Sequence, residues 1–219
     1  MLKILTEHSS EFLGGLRTTM LLCTCIWGIG LLLGTPLGVA AGRFRLSVGV
    51  PVRCLAIGLA GIPIVVWLFW LHYPAQYMLG IVVDPRVTSI VALATLNVFW
   101  VADIWRQCYV ECPNQYRLAA LVCGLPRSTI SWRITLPLIA RHALPGILIV
   151  QMNMLHASLF TSFISVDEVF RAAQRINAQI YKPVEIYTAL ALFFLLATVP
   201  VYIVANVLQK HVSRDYSET

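Results

Sequence analysis

Residues 16–41, LRTTMLLCTCIWGIGLLLGTPLGVAA, decide the fold. After Arg17 no charged side chain occurs until Arg43. A hydrocarbon layer about 30 Å thick is crossed by about 20 such residues in a helix. Inside that layer every backbone N–H and C=O must be paired within its own segment, which a helix achieves. The run lacks the strict alternation of a barrel strand. Gly30, Gly34 and Gly38 recur every four residues, so one face of this helix is open to close approach by a neighbour. Pro36 lies among them and is a point where a membrane helix tolerates a kink.

Four further apolar runs follow, at about 54–73, 87–105, 143–166 and 186–208. The second ends in Trp67, Trp70, His72 and Tyr73, the aromatic belt of a membrane–water interface. Only 12% of the 219 residues are charged and 58% are hydrophobic; mean hydropathy is +0.77. A soluble domain carries about 25% charged residues, so this chain cannot cover a water-facing surface. The expected fold is all-α: one polytopic membrane domain, residues 1–219, with about five spans. Residues 74–86, 106–142 and 167–185 are expected to connect them.

The net charge of +6 does not signal nucleic acid, because the Lys and Arg residues sit between the apolar runs. Arg43, Arg45, Arg53, Arg106, Arg117, Arg127, Arg133, Arg141, Lys210 and Arg214 fall on one side, ten of the sixteen. Lys3, Arg17, Arg86, Arg171, Arg175 and Lys182 fall on the other. The richer side is expected to be cytoplasmic, with the N-terminus outside and the C-terminus inside. The N-terminus lacks the basic, apolar, small-residue order of a cleaved signal. The six cysteines read as small apolar fillers; Cys108-x3-Cys112 is the nearest approach to a metal spacing, and no metal site is expected. Walker A, H-E-x-x-H and G-x-S-x-G motifs are absent from the sequence, and no span carries paired carboxylates. The chain is therefore not expected to be an enzyme.

Residues 106–142 hold the most informative pattern. Leu118-Ala119-Ala120-x3-Gly124 is followed, after nine residues, by Ile134-x-Leu136-Pro137. Small Ala119 and Ala120 let a helix approach another surface closely. Gly124 is suited to end that helix in a left-handed conformation, and Pro126 prevents its continuation. Arg117, Arg127 and Arg133 are placed to pair with acidic groups or with lipid. The strip Leu118 to Cys123 also fits an amphipathic helix lying on the bilayer.

This spacing resembles the EAA signature in the membrane subunits of bacterial ABC importers, with Leu118 at the usually acidic first position. The resemblance extends over about residues 13–209. Gly61-Ile62-Pro63-Ile64, Ala102-Asp103-Ile104-x-Arg106, Pro113 and Ala143-Leu144-Pro145 are similar to the polar amino acid branch. Leu155-His156-Ala157-Ser158, Ile176-Asn177-Ala178 and Tyr181-x-Pro183 look most like its histidine/lysine/arginine/ornithine members.

The resemblance implies an inner-membrane permease for polar amino acids, basic ones among them. Leu118, Ala119, Ala120, Gly124, Pro126, Arg127, Ile134, Leu136 and Pro137 would dock in a groove of the ATPase. Implied partners are an identical or related permease, two ABC ATPases, an extracytoplasmic amino-acid-binding protein and membrane lipid. ATP and Mg would be bound by the ATPases, leaving this chain without a cofactor. The alternative is a non-transporting sensor or anchor subunit of the same descent.

Polar residues inside the spans are candidates for the substrate pathway. They are Asn97 on the third run and Gln151, Asn153, His156 and Ser158 on the fourth. At about 100° per residue Gln151, Ser158 and Ser162 form one stripe, while Asn153 and His156 lie on another face. Interhelical hydrogen bonding is the competing explanation for each. Asp103, near the end of the third run, has Arg106 one turn on and is placed for a local ion pair.

Overall fold

A computed structural model describes residues 8–217. Lys3, counted in the charge asymmetry, lies outside them. Every regular element among the described residues is helical: α1 (Ser9–Arg43), α2 (Val50–Gly61), α3 (Ile64–Trp70), α4 (Gln76–Leu79), α5 (Pro85–Glu111), α6 (Asn114–Val122), α7 (Arg127–Thr129), α8 (Leu136–Ala157), α9 (Val169–Ile180) and α10 (Pro183–Ser217). π-helical turns at Arg45–Gly49, Leu71–Ala75 and Ile130–Thr135 join neighbouring helices, and a 3-10 turn, Ser158–Ile164, extends α8.

Four stretches are long and apolar enough to span a membrane, and a bent fifth, Arg45–Gly61 plus Ile64–Leu79, turns by 97° at its break. A single straight helix over 54–73 is therefore not what forms. Pro63 lacks an N–H, and its ring pushes Ile62 out of the helical region, to φ −92°, ψ 125°. The second half then continues past Pro74 to Leu79, where Gly80 takes φ 64° and ends it. The connection expected over 74–86 shrinks to the segment before Asp84, whose carboxylate accepts the Arg86 N–H at 2.7 Å and caps α5.

The polar stretch 106–142 is also mostly helical. α5 runs on to Glu111, α6 fills the middle, and helix resumes at Arg127. The fourth span thus begins well before residue 143. In 167–185 the polar segment forms α9, whose one apolar face carries Val169, Ala172, Ala173 and Ile176, all buried.

The glycine ladder of α1 lies on α5. A Cβ at Gly34 would meet Val98 and Val101; one at Gly38 would meet Ala102 and Trp105; one at Gly30 would strike Asn97. Leu22 and Ile26 of α1 pack with Leu93 and Leu96 of α5, Leu68 of α3 and Met154 of α8. A second cluster ties α8, α9 and α10 through Leu155, Ile176, Ile186 and Phe194. Elsewhere α10 is open: Leu196 is 73% exposed and Ile203 58%. In water each such residue would forgo about 1.5–3 kcal/mol. Against acyl chains nothing is lost, so close packing and hydrogen bonds hold the helices together.

Candidate functional site

Two regions carry the residues singled out above. The first is α6 and the turn after it. The Leu125 N–H donates to the Ala120 carbonyl at 3.2 Å, and the Gly124 N–H donates to the Leu121 carbonyl at 3.0 Å. Gly124 sits at φ 75°. These paired bonds form the Schellman motif, which satisfies the last carbonyls of a helix and requires a left-handed residue. Pro126 is extended (φ −67°, ψ 146°) and its carbonyl accepts the Ile130 N–H at 3.1 Å, opening the next helix.

The motif leaves α6 standing off the bundle. Leu118, Leu121 and Val122 are 59%, 46% and 89% exposed, and Ala119 is exposed beside them. Ala120 alone of the group is buried (6%), facing the chain's own interior. Arg127 and Pro137 are exposed, whereas Ile134 and Leu136 are half-buried and anchor the turn to the bundle. Trp132 is 72% exposed. No acidic side chain among the described residues pairs with Arg117, Arg127 or Arg133.

The second region is the polar set within the bundle, which the structure divides. Asn97 and Gln151 meet between α5 and α8. The Asn97 amide donates to Gln151 Oε1 at 3.0 Å and to the Ile26 carbonyl at 3.0 Å; the Gln151 amide donates back to Asn97 Oδ1 at 3.3 Å. The indole of Trp27 donates to the Gln151 backbone carbonyl at 3.0 Å. Ser158 is also buried, its hydroxyl donating to the Leu155 carbonyl. These three side chains are satisfied inside this chain, as groups held in hydrocarbon must be.

Asn153 and His156 point the other way and are exposed. His156 Nε2 lies 3.2 Å from the Thr198 hydroxyl of α10, with its ring against Phe194. Asn153 has no hydrogen-bond partner among the described residues. An amide on the outer face of a spanning helix calls for water or another chain beside it. Thr198 is a partner the sequence reading passed over, although a hydroxyl in an apolar run two residues before Pro200 was visible. Asp103 does form its local pair: Arg106 Nε lies 2.7 Å from Oδ1, and Gln107 donates to Oδ2.

A family model described as a binding-protein-dependent transport system inner membrane component matches residues 34–218. The chain belongs to that family. It is a multi-pass inner-membrane permease component. The permease is similar to the glutamine transport system permease protein GlnP of Escherichia coli (strain K12), with 28% identity over 178 residues, 78% of this chain and 80% of that protein. It is similar to the arginine ABC transporter permease protein ArtQ of Haemophilus influenzae, with 24% identity over 200 residues, 86% of this chain and 89% of that protein. Among solved structures, an amino acid ABC transporter crystallised with histidines aligns over 94% of this chain and 96% of its own, with TM-score 0.79 and 20% identity. The MetNI methionine ABC transporter in an inward-facing form aligns over 92% and 96%, with TM-score 0.71 and 14% identity. The backbone arrangement is therefore that of ABC transporter membrane subunits.

One buried acid of the permease escaped the sequence reading. Glu168 precedes α9, is fully buried, and accepts the N–H groups of Phe170 and Arg171 at 2.9 and 2.8 Å. It was passed over because it opens a polar stretch that reads as a loop. Burial pushes its carboxyl from 4.5 up to about 7, against the pull of those two N–H groups and the Arg171 charge. Between those two values the folded protein holds a proton that the unfolded chain has lost, so stability falls as pH rises through that window. The change is on the order of 3 kcal/mol at most. The purified protein is expected to melt higher at about pH 5.5 than at about pH 8 by tryptophan fluorescence, and Glu168→Gln should flatten that dependence. Equal slopes in both proteins would show that Glu168 does not titrate there.

Proposed function

We propose that this permease is one half of the membrane pathway of an ATP-driven importer for polar amino acids, basic ones included. The observation that carries the reading is α6. It is a short helix, polar in its first turn and apolar from Leu118 on, closed by a Schellman turn, with Leu118, Ala119, Leu121 and Val122 uncovered. Leu118, Ala119, Leu121 and Val122 would enter a groove of a separate ATPase, and the 130–135 turn would pass the motion into α8. With Leu118 in place of an acid, this contact rests on apolar packing more than on charge. A second permease, identical or related, would cover Asn153 and His156 and share the pathway with them. A soluble binding protein would deliver substrate at the opposite face, and ATP with Mg would be held by the ATPases.

The reading is tested by reconstituting the permease with its cognate ATPase and second permease in vesicles. Uptake of radiolabelled glutamine, arginine and histidine is measured with and without ATP. ATP-dependent uptake of at least one of them is expected, reduced about tenfold by Asn153→Ala or His156→Ala. Assembly with the ATPase but no uptake of any amino acid would favour the sensor or anchor reading. Failure to bind an ATPase at all would remove both.

A further inference from the structure

A cavity of about 440 Å³ opens beside the C-terminal part of α5, and neither Asn153 nor His156 lines it. Arg45 of the π-helical turn, Arg53 of α2, and Asp103, Arg106 and Glu111 of α5 line it. Asp103 is already engaged by Arg106 at 2.7 Å and by Gln107 at 2.6 Å. Arg45 and Arg53 make no ion pair or hydrogen bond among the described residues. Glu111 is the only other acid lining the space, so the cavity keeps an uncompensated positive charge.

Two arginines, both exposed, border one cavity, and guanidinium groups so placed suit a phosphate, whose oxygens accept their paired N–H donors. A second observation says what else the ligand carries. A trough of about 230 Å³, lined by Ala56, Ile57, Ala60, Trp100 and Val150, adjoins the cavity and shares Ile57 and Asp103 with it. Its other walls are almost wholly apolar, and it runs from the arginines toward the middle of the spans. A free phosphate has no use for such a trough, whereas a lipid acyl chain fills it.

We propose that this site binds one anionic phospholipid, its phosphate held by Arg45 and Arg53 and one acyl chain laid along Ile57, Ala60 and Trp100. Basic pockets between membrane helices on the cytoplasmic side recognise lipid headgroups in this way. The leaflet rests on the orientation read from the charge asymmetry and on the permease reading above; the site itself does not.

The full transporter complex, purified in detergent, is titrated with phosphatidylglycerol and with phosphatidylcholine and the bound lipids are counted by native mass spectrometry. Wild type is expected to retain one phosphatidylglycerol per copy of this chain. Arg45→Gln combined with Arg53→Gln should weaken that retention at least about tenfold. Glu111→Gln, which removes one negative charge from the cavity lining, should strengthen it, a change that a misfolded variant cannot mimic. Ala60→Trp should expel the lipid by filling the trough.

Retention unchanged in the double variant, or displacement of the lipid by the transported amino acids, would overturn the proposal. Inorganic phosphate displacing the lipid in wild type, together with unchanged retention in Ala60→Trp, would overturn the lipid in favour of a free phosphate. Labelling of Ser47→Cys by an impermeant thiol reagent from inside the cell is expected. Labelling from outside, with lipid binding intact, would overturn the leaflet and the topology together while leaving the site standing.

Discussion

Gly124→Val is expected to cut ATP-driven uptake severely while the permease still inserts and folds. Gly124 stands at φ 75° in the turn that ends α6. A β-branched residue there costs about 1–3 kcal/mol of backbone strain. A Cβ at this position meets nothing within 4 Å, so the penalty is conformational and not steric. The chain escapes it by unwinding the turn, which releases the Ala120 and Leu121 carbonyls and swings Leu118 and Val122 away from their docking geometry. The helix interfaces of the bundle do not include this turn, because α6 packs mainly against the neighbouring Ile130–Thr135 turn. Uptake is expected to fall at least about tenfold with ATPase binding weakened in parallel, measured by transport in vesicles and by co-purification. Gly124→Asn separates the causes, since asparagine tolerates the left-handed region and should retain much of the transport. A valine variant that transports like wild type would remove α6 from the coupling role.

Gly38→Leu is expected to act on the bundle itself. A Cβ at Gly38 would lie 2.5 Å from the Ala102 carbonyl oxygen and 2.5 Å from Trp105 Cβ. Backbone cannot rotate aside as a side-chain tip can, so α1 and α5 must separate. Their contact holds the Gly30–Asn97 fit, the Asn97–Gln151 exchange and the Leu22–Leu93 core. Loss of about 3 kcal/mol or more is expected, seen as a lower melting temperature and a smaller monodisperse fraction in detergent. Gly28→Leu is the control. A Cβ there meets nothing within 4 Å, and the protein should stay folded. Equal behaviour of the two variants would mean that the α1–α5 contact is not what holds the bundle.

The polar residues of the fourth span show how far periodicity reaches. An angle of about 100° per residue separates Gln151 and Ser158 from Asn153 and His156, and the structure keeps them apart. It cannot say which face turns inward. That depends on Asn97, 54 positions away, and on Thr198, 42 positions from His156. The second span shows the opposite case. Ile62-Pro63 was in plain view, but hydropathy averages over a window and is blind to one missing N–H, so a bend of 97° reads as a straight span.

Length and hydrophobicity by themselves determined that this protein is a helical membrane bundle, because hydrocarbon leaves the backbone only helices or closed barrels, and the apolar runs lack a barrel's alternation. Glycine and proline chemistry likewise marked where α6 stops, since a left-handed turn is a local property of one residue and its neighbours. Tertiary structure alone decided that Asn97 and Gln151 close on each other while Asn153 looks outward, and that Arg45, Arg53 and Arg106 border one cavity. Those facts depend on the rotation of whole helices about their axes. Residues far apart in the chain set that rotation through contact, and no local pattern encodes it.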